Sequence, residues 1–425
     1  MKIAIAGYGV EGQASYEYYS KDTNNQITIA DQNPDFVGPE GVPCIVGPDA
    51  FEKLTDFDLV LRSPPIAPKK IKTQGKIWSV TNEFFAKCPA DIIGVTGSKG
   101  KGTTSSLIAS ILGHTDRKVW LLGNIGEPAI AHLDQITLND IVVYELSSFQ
   151  LWDIERSPKT AVVLFIEQEH LDVHESMEEY VNAKGNITRF QSEDDILVFN
   201  AENQYSRSIA DTSKARKVGY PTALTTHVAD GQFMNGEHII CSTDILQIRG
   251  EHNVTNAIAA IDAVWAYTQD VAVITAGLRD FKGLKHRLSF VGEVEGVQYY
   301  DDSIATTPAS AIAALRAFEQ PKVIILGGSS KGSDFTELAK ELIQHDVQAI
   351  LIGEEAEVIA EACRQAGFEK FEIIEQATAA SFVKRAYELA TAGSVVLLSP
   401  AAASFGLFKD YADRGDQYTA AVEAL

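Results

Sequence analysis

Residues 94–112 read GVTGSKGKGTTSSLIASIL. The apolar residues ahead of Gly97 are a buried strand, three glycines follow (Gly97, Gly100 and Gly102), and a hydroxyl-rich periodic segment begins a helix near Thr103. Glycines let the chain curl until successive amides face one anion, and a helix start adds the positive end of its dipole. Lys101 is placed to reach the outer phosphates of a nucleotide, and Thr103 or Thr104 to hold Mg through a hydroxyl. The common phosphate loop GxxxxGK[ST] is not met, because Val95 stands where its first glycine belongs and Gly102 follows the lysine. The plainer reading is a glycine-rich turn with a surface lysine, and the strand, lysine and hydroxyls in register weigh against it.

Working outward, the same alternation of strand and glycine loop recurs in KIAIAG, IVVYEL, AVVLFI, VIILGG, AILIG and VVLLSP. Continuous apolar strands separated by helical segments predict an α/β protein of parallel sheets covered on both faces. Ligands then belong beyond the carboxyl ends of the strands. The 425 residues divide into three expected domains at 1–90, 91–285 and 286–425. The last begins with a short strand and turn in VEGVQYYDDS.

A formal charge of -22 excludes a nucleic-acid groove or an anionic membrane surface as the main partner. No apolar run reaches the ~18 residues of a membrane helix. Cys44, Cys88, Cys241 and Cys363 have no metal spacing and read as reduced thiols. The N-terminal apolar run is a strand rather than a signal sequence. A cytoplasmic protein is expected, and its acidic surface favours a monomer.

Polar residues mark the predicted strand ends. Glu145 closes IVVYE, and His170 follows AVVLFIEQE. Near residue 250, GEHNVTNAIAA places His252, Asn253 and Asn256 ahead of a small-residue helix, where they can meet a nucleotide or cap the helix. Gly7, Gly9 and Gly12 form GxGxxG after the first strand, and Asp31 ends ITIAD. By themselves these point to a dinucleotide such as NAD, but a hydride enzyme has no need of the loop at 97–104.

The spacing TGSKGKGTT closely resembles the variant phosphate loop of the Mur ligase and folylpolyglutamate synthetase superfamily. That resemblance implies ATP-dependent amide formation through an acyl phosphate. It also implies a Rossmann-like N-terminal UDP-binding domain, a central P-loop ATPase-like parallel sheet and a C-terminal Rossmann-like domain. At the chemistry it implies Lys101, His170 and Lys184. Around ATP it implies Gly97, Ser98, Gly100, Lys101, Thr103, Thr104, Asn256, Arg287 and Asp302. Two Mg ions are implied, one held by Thr103 and Glu145 and the other by His170 and Lys184, the lysine being one that the family carbamylates with CO2. The first domain implies a UDP-muramoyl substrate at Gly9, Val10, Asp31 and Ser63, and the folylpolyglutamate branch lacks that domain. Asn124, Ser147 and Gln150 would face the muramoyl-alanine. The block ELSSFQL (145–151) resembles the branch that adds D-glutamate to UDP-N-acetylmuramoyl-L-alanine. Thr306, Lys331, Ser404, Phe405 and Tyr411 are implied for the incoming glutamate, with the third domain closing on the second.

The chain departs from the family pattern at Ile304 (usually Lys), Glu169 (Asp), Phe165 (Asn) and Gly406 (Asp). Because these changes touch the amino-acid pocket most, L-glutamate is the alternative amino acid. A folylpolyglutamate-type ligase, a non-catalytic nucleotide-binding module and an NAD oxidoreductase are the other readings.

Overall fold

The apolar runs become the strands of four sheets in the computed structural model, which describes residues 1–124, 128–171, 173–248, 250–330 and 332–425. The first sheet is all parallel and comprises β1 (Lys2–Ala6), β2 (Gln26–Asp31), β3 (Cys44–Val46), β4 (Leu59–Arg62) and β5 (Lys76–Trp78), in the order β3-β2-β1-β4-β5. Ile3 to Ala6 are wholly buried, as a strand covered on both faces requires. Strand order reverses between β1 and β4, so the crevice where such sheets bind ligands lies beyond Ala6 and Arg62.

A second parallel sheet comprises β6 (Asp91–Thr96), β7 (Val119–Gly123), β8 (Ile141–Glu145), β9 (Thr160–Val163), β10 (Ile196–Asn200) and β11 (Arg216–Tyr220), in the order β11-β10-β9-β6-β8-β7. β6 is central, with Val95 opposite Glu145 of β8 and Thr96 opposite Val163 of β9. The helix after β6 spans Lys101–Leu112 and packs on the helices Glu251–Val264 and Val271–Asp280. Gly277 permits the second contact, because a Cβ there would lie 2.3 Å from the Ile111 Cα.

A three-stranded antiparallel sheet of β12 (Thr226–Ala229), β13 (Gln232–Asn235) and β14 (His238–Ser242) was not anticipated. Its signal was present in the sequence as Asp230-Gly231 and Asn235-Gly236, dipeptides that suit tight hairpin turns. Asp230 and Gly231 both take positive φ (49° and 71°) between the paired residues Ala229 and Gln232.

The last sheet comprises β15 (Ser289–Val294), β16 (Val297–Asp301), β17 (Lys322–Gly327), β18 (Val347–Ile352), β19 (Phe371–Ile374) and β20 (Val395–Leu398), in the order β15-β16-β20-β17-β18-β19. Only β15 runs antiparallel, joined to β16 through Glu295 and Gly296, both at positive φ. The chain forms two compact units, Met1–Gln247 with Glu251–Phe281, and Ile248–Gly250 with Lys282–Leu425.

Three local expectations are corrected. The helix after the glycine loop starts at Lys101 rather than near Thr103, because Gly100 in the left-handed region turns the chain into it two residues earlier. β9 ends at Val163, so His170 lies out in the following loop. His252, Asn253 and Asn256 are inside the helix that begins at Glu251 rather than ahead of it.

Asp262 ties the antiparallel sheet to this helix. Its Oδ1 accepts from the Thr226 amide (3.0 Å), the Thr226 hydroxyl (2.5 Å) and Asn235 Nδ2 (3.2 Å). Burial pushes the Asp262 carboxyl up to about 6 despite the Thr226 bonds that lower it. The folded state therefore holds a proton that the unfolded chain, at about 4, has lost, and stability falls as pH rises through that window. Asp262→Ala is expected to cost about 1–3 kcal/mol by leaving buried donors unmatched. In thermal unfolding, Asp262→Asn is expected to remove this part of the decline between about pH 4 and pH 6.

Candidate functional site

The glycine loop curls where the sequence places it. Gly100 takes φ 85°, and a Cβ there would sit 2.3 Å from Asn256 Oδ1; at Gly97 it would sit 2.7 Å from Leu164 Cβ. Both positions require glycine, because neighbouring groups press on the loop from two sides. The Thr104 hydroxyl meets Asn256 Oδ1 at 3.4 Å, and Asn256 Nδ2 donates to Asn253 Oδ1, so Asn256 backs the loop. Thr103 and Thr104 are buried in the first turn of the helix.

Two lysines converge on this loop. Lys101 Nζ donates to the carbonyls of Gly97 (3.1 Å) and Ser98 (2.9 Å), and Lys184 Nζ donates to the same Gly97 carbonyl at 2.7 Å. Lys184 lies in the helix Met177–Gly185 and is 1% exposed. Burial is the main cause that drives its pKa well below the ordinary lysine value, and the Lys101 charge adds to it. The Lys184 ammonium also lies 4.6 Å from the Tyr180 ring centroid. Tyr180 in turn joins Ser98 Oγ at 2.9 Å and donates to Glu169 Oε2 at 3.2 Å. Sequence reasoning did not name Tyr180, although its place one helical turn before Lys184 puts it on the same face.

Glu145 ends β8 beside the loop, 5% exposed, and Oε1 accepts from Asn124 Nδ2 at 3.0 Å. Asn124 is fixed by its own amide, which donates to the Glu145 carbonyl. His170 has positive φ (56°), and its ring lies 5.0 Å from Phe149 and 3.8 Å from a Glu169 carboxylate oxygen. The neighbouring His174 is fully buried against Phe149 and Trp152, with Nε2 3.0 Å from Ser148 Oγ.

In the first sheet's crevice, Gly9 precedes the helix Val10–Tyr19 and Val10 is exposed at its start. Asp31 accepts from the amides of Tyr8 (3.2 Å) and Asn33 (2.9 Å), and Ser63 Oγ donates to the Gly7 carbonyl. Ser147 caps the short helix Ser148–Leu151 in a reciprocal box with Gln150. Gln150 is 1% exposed. Its Oε1 accepts from the Ser147 amide and hydroxyl, and its Nε2 donates to Glu11 Oε1 at 3.0 Å. The Gln150 side chain is therefore occupied within the protein.

The second unit gathers Arg287, Asp302, Thr306 and Ser404 beyond β16 and β20. Asp302 accepts from the Leu288 amide and the Ser399 hydroxyl, yet burial pushes its carboxyl up to about 7. Arg287 is exposed, and its charge opposes that rise. Thr306 is half-buried, Ser404 buried, and Phe405 and Tyr411 exposed. Lys331 lies outside the described residues. Ile304 donates its amide to the His286 carbonyl. Nearby Arg414 is fully buried and, among the described residues, donates to neutral oxygens, namely Ser303 Oγ and O, Ala402 O and Ala403 O. Burial lowers its pKa to about 10, so the guanidinium remains a cation beneath these loops.

Comparison with known proteins places this geometry. A family profile for the Mur ligase middle domain matches residues 95–264, and one for the Mur ligase glutamate ligase domain matches 286–402. The UDP-N-acetylmuramoylalanine–D-glutamate ligase of Clostridium tetani is 34% identical, covering 100% of this chain and 97% of the relative. That of Symbiobacterium thermophilum is 37% identical, covering 100% and 98%. Among solved structures, the UDP-N-acetylmuramate-alanine ligase of Thermotoga maritima superposes with a TM-score of 0.62 at 18% identity, covering 100% of this chain and 99% of that one. The MurF ligase of Thermotoga maritima, solved in complex with ADP, gives 0.59 at 17% identity, covering 99% and 95%. At those identities the structures speak for the fold, while the full-length relatives speak for descent. The chain belongs to the Mur ligase family of ATP-dependent, amide-forming ligases.

Proposed function

We propose that this enzyme joins D-glutamate to UDP-N-acetylmuramoyl-L-alanine at the expense of ATP, in peptidoglycan precursor synthesis, as a cytoplasmic monomer. The relatives' names supply the acceptor and the amino acid. The observation in this chain that carries the chemistry is the convergence of Lys101 and Lys184 on the Gly97 carbonyl at the end of β6.

A carboxylate does not condense with an amine in neutral water, so the alanyl carboxylate first takes the terminal phosphoryl group of ATP. The amine of glutamate then attacks the acyl carbon, the C–N bond forms, and inorganic phosphate leaves with the former carboxylate oxygen. Lys101, held at the loop by two carbonyls, is placed to offset charge on the transferring group. Gly97, Ser98, Gly100, Thr103, Thr104 and Asn256 form the nucleotide cradle. Arg287 and Asp302 are further ATP-binding residues. Thr306, Lys331, Ser404, Phe405 and Tyr411 serve glutamate, and Gly9, Val10, Asp31, Ser63, Asn124 and Ser147 serve the UDP substrate, with Gln150 holding Ser147 in place.

The residues present fit Mg. Glu145 accepts from Asn124 through Oε1, and its carboxylate together with the Thr103 hydroxyl would hold a first ion. Bound Mg supplies neutralisation of charge on the phosphoryl oxygens. His170 and Lys184 would hold the second ion, Lys184 as a carbamate, because Mg favours oxygen donors over an amine nitrogen. Burial favours the neutral amine, whose nitrogen attacks CO2, forms a C–N bond and releases a proton to give a carbamate with two oxygen donors.

Three measurements follow. Phosphate release with ATP, Mg and UDP-N-acetylmuramoyl-L-alanine is expected with D-glutamate and not with L-glutamate, and the reverse would transfer the assignment to the L isomer. Lys101→Ala is expected to lower kcat on the order of 10²–10³-fold with its unfolding midpoint unchanged, and near-normal turnover would remove the lysine's assigned role. With ¹³C-bicarbonate, a carbamate carbon resonance is expected in the wild type and absent in Lys184→Ala.

A further inference from the structure

The segments assigned to the UDP substrate come from two different sheets. Gly9, Val10 and Ser63 lie at the carboxyl edge of the first sheet, whereas Ser147 and Gln150 follow β8 of the central sheet. Two part-buried polar contacts lock these segments to one another.

The first is centred on Arg62, the last residue of β4, whose side chain is 0% exposed. Its Nε donates to Asp153 Oδ2 at 2.7 Å and its Nη2 to Asp153 Oδ1 at 2.5 Å, a two-pronged pair. Nη2 also reaches the Phe149 carbonyl at 2.8 Å, and Nη1 the Pro64 carbonyl at 3.1 Å. One guanidinium thus holds the loop just after Ser63 and the helix that carries Gln150. The second contact is Gln150 Nε2 to Glu11 Oε1, which joins that helix to the residue following Val10. Asn82 reinforces the seam, donating to the Asp153 carbonyl and accepting from the Glu155 amide.

Adhesion alone does not account for this choice of residues. Apolar side chains hold two surfaces together at lower cost, since desolvating an ion pair offsets much of its attraction. What a forked arginine–carboxylate pair adds is fixed geometry. Exposed pairs along the same seam, such as Lys76 with Glu155 at 2.9 Å, add little because solvent screens them.

The proposed substrate carries its nucleotide at one end and its reacting carboxylate at the other. The first sheet takes the nucleotide, and the carboxylate must meet the phosphate loop of the central sheet. Binding energy at the remote nucleotide can position the carboxylate only if the distance between the two sheets is fixed. We propose that the Arg62–Asp153 pair, seconded by Glu11–Gln150, is the spacer that sets this distance, with Arg62, Asp153 and Glu11 as positioning residues for the UDP substrate. The inference rests on the proposed function above.

Its signature is that the spacer matters only to a ligand spanning both ends. Calorimetry would compare UDP alone with UDP-N-acetylmuramoyl-L-alanine on the wild type, Asp153→Asn and Arg62→Lys, the second retaining charge but losing the fork, with Lys76→Met as the exposed control. Wild type and control are expected to bind the full substrate more tightly than UDP. In both spacer variants UDP affinity is expected to hold within about twofold, while the advantage of the full substrate shrinks at least about tenfold, the scale of one well-placed hydrogen bond lost at its far end. KM for ATP is expected to stay constant as kcat falls. An equal loss for UDP and full substrate would mean local damage at Ser63, and an undiminished advantage in variants of lowered unfolding midpoint would mean simple adhesion; either overturns the spacer. A wild type that binds the full substrate no better than UDP overturns the functional reading itself.

Discussion

A backbone can hold phosphate only where it presents several amides without side chains in the way. That requirement falls on the four residues between the end of β6 and Lys101, and much of the central sheet is arranged around it. Asn256 and Leu164 press on Gly100 and Gly97 so closely that no Cβ fits at either position. Because β6 is central, the residues ending β8 are brought alongside, which puts Glu145 next to the loop and Asn124 next to Glu145. Closing the loop from above, Lys101 and Lys184 share one carbonyl.

Several cationic side chains are buried close to the ends of strands. Lys184, Arg62 and Arg414 are each withdrawn from water beside strand termini. Each donates to main-chain carbonyls, and Arg62 adds the carboxylate of Asp153. Arg414 is the extreme case, bonded among the described residues to neutral oxygens alone. Its cation lies near the loop in which Ile304 replaces the family lysine, so that region is not left without positive charge.

Much of the fold was legible before any coordinates. Short continuous apolar runs rich in β-branched residues suit buried parallel strands, and KIAIA, IIGVT, IVVYE and VIILG all form such strands. The antiparallel sheet at 226–242 was passed over because its strands are short and half-buried, and its hairpin dipeptides were not weighed. Lys101, Lys184 and Glu145 were named from motif and resemblance, and the structure brings both lysines to the loop whose edge Glu145 borders. Tyr180 and the Arg62–Asp153 pair were not named, since neither residue of that pair is remarkable where it stands in the chain.

What the sequence determined by itself is therefore the local grammar: which segments are strands, where the phosphate loop turns, and which lysine follows it. Short-range sterics and apolar periodicity are sufficient for that. What only the tertiary structure decided is which polar groups meet. Arg62 and Asp153 are 91 positions apart and Lys184 and Gly97 are 87 apart. Such pairs are selected by the order of strands within and between sheets. Burial then sets their electrostatics, because desolvation depends on what packs around a side chain rather than on what precedes it in the chain.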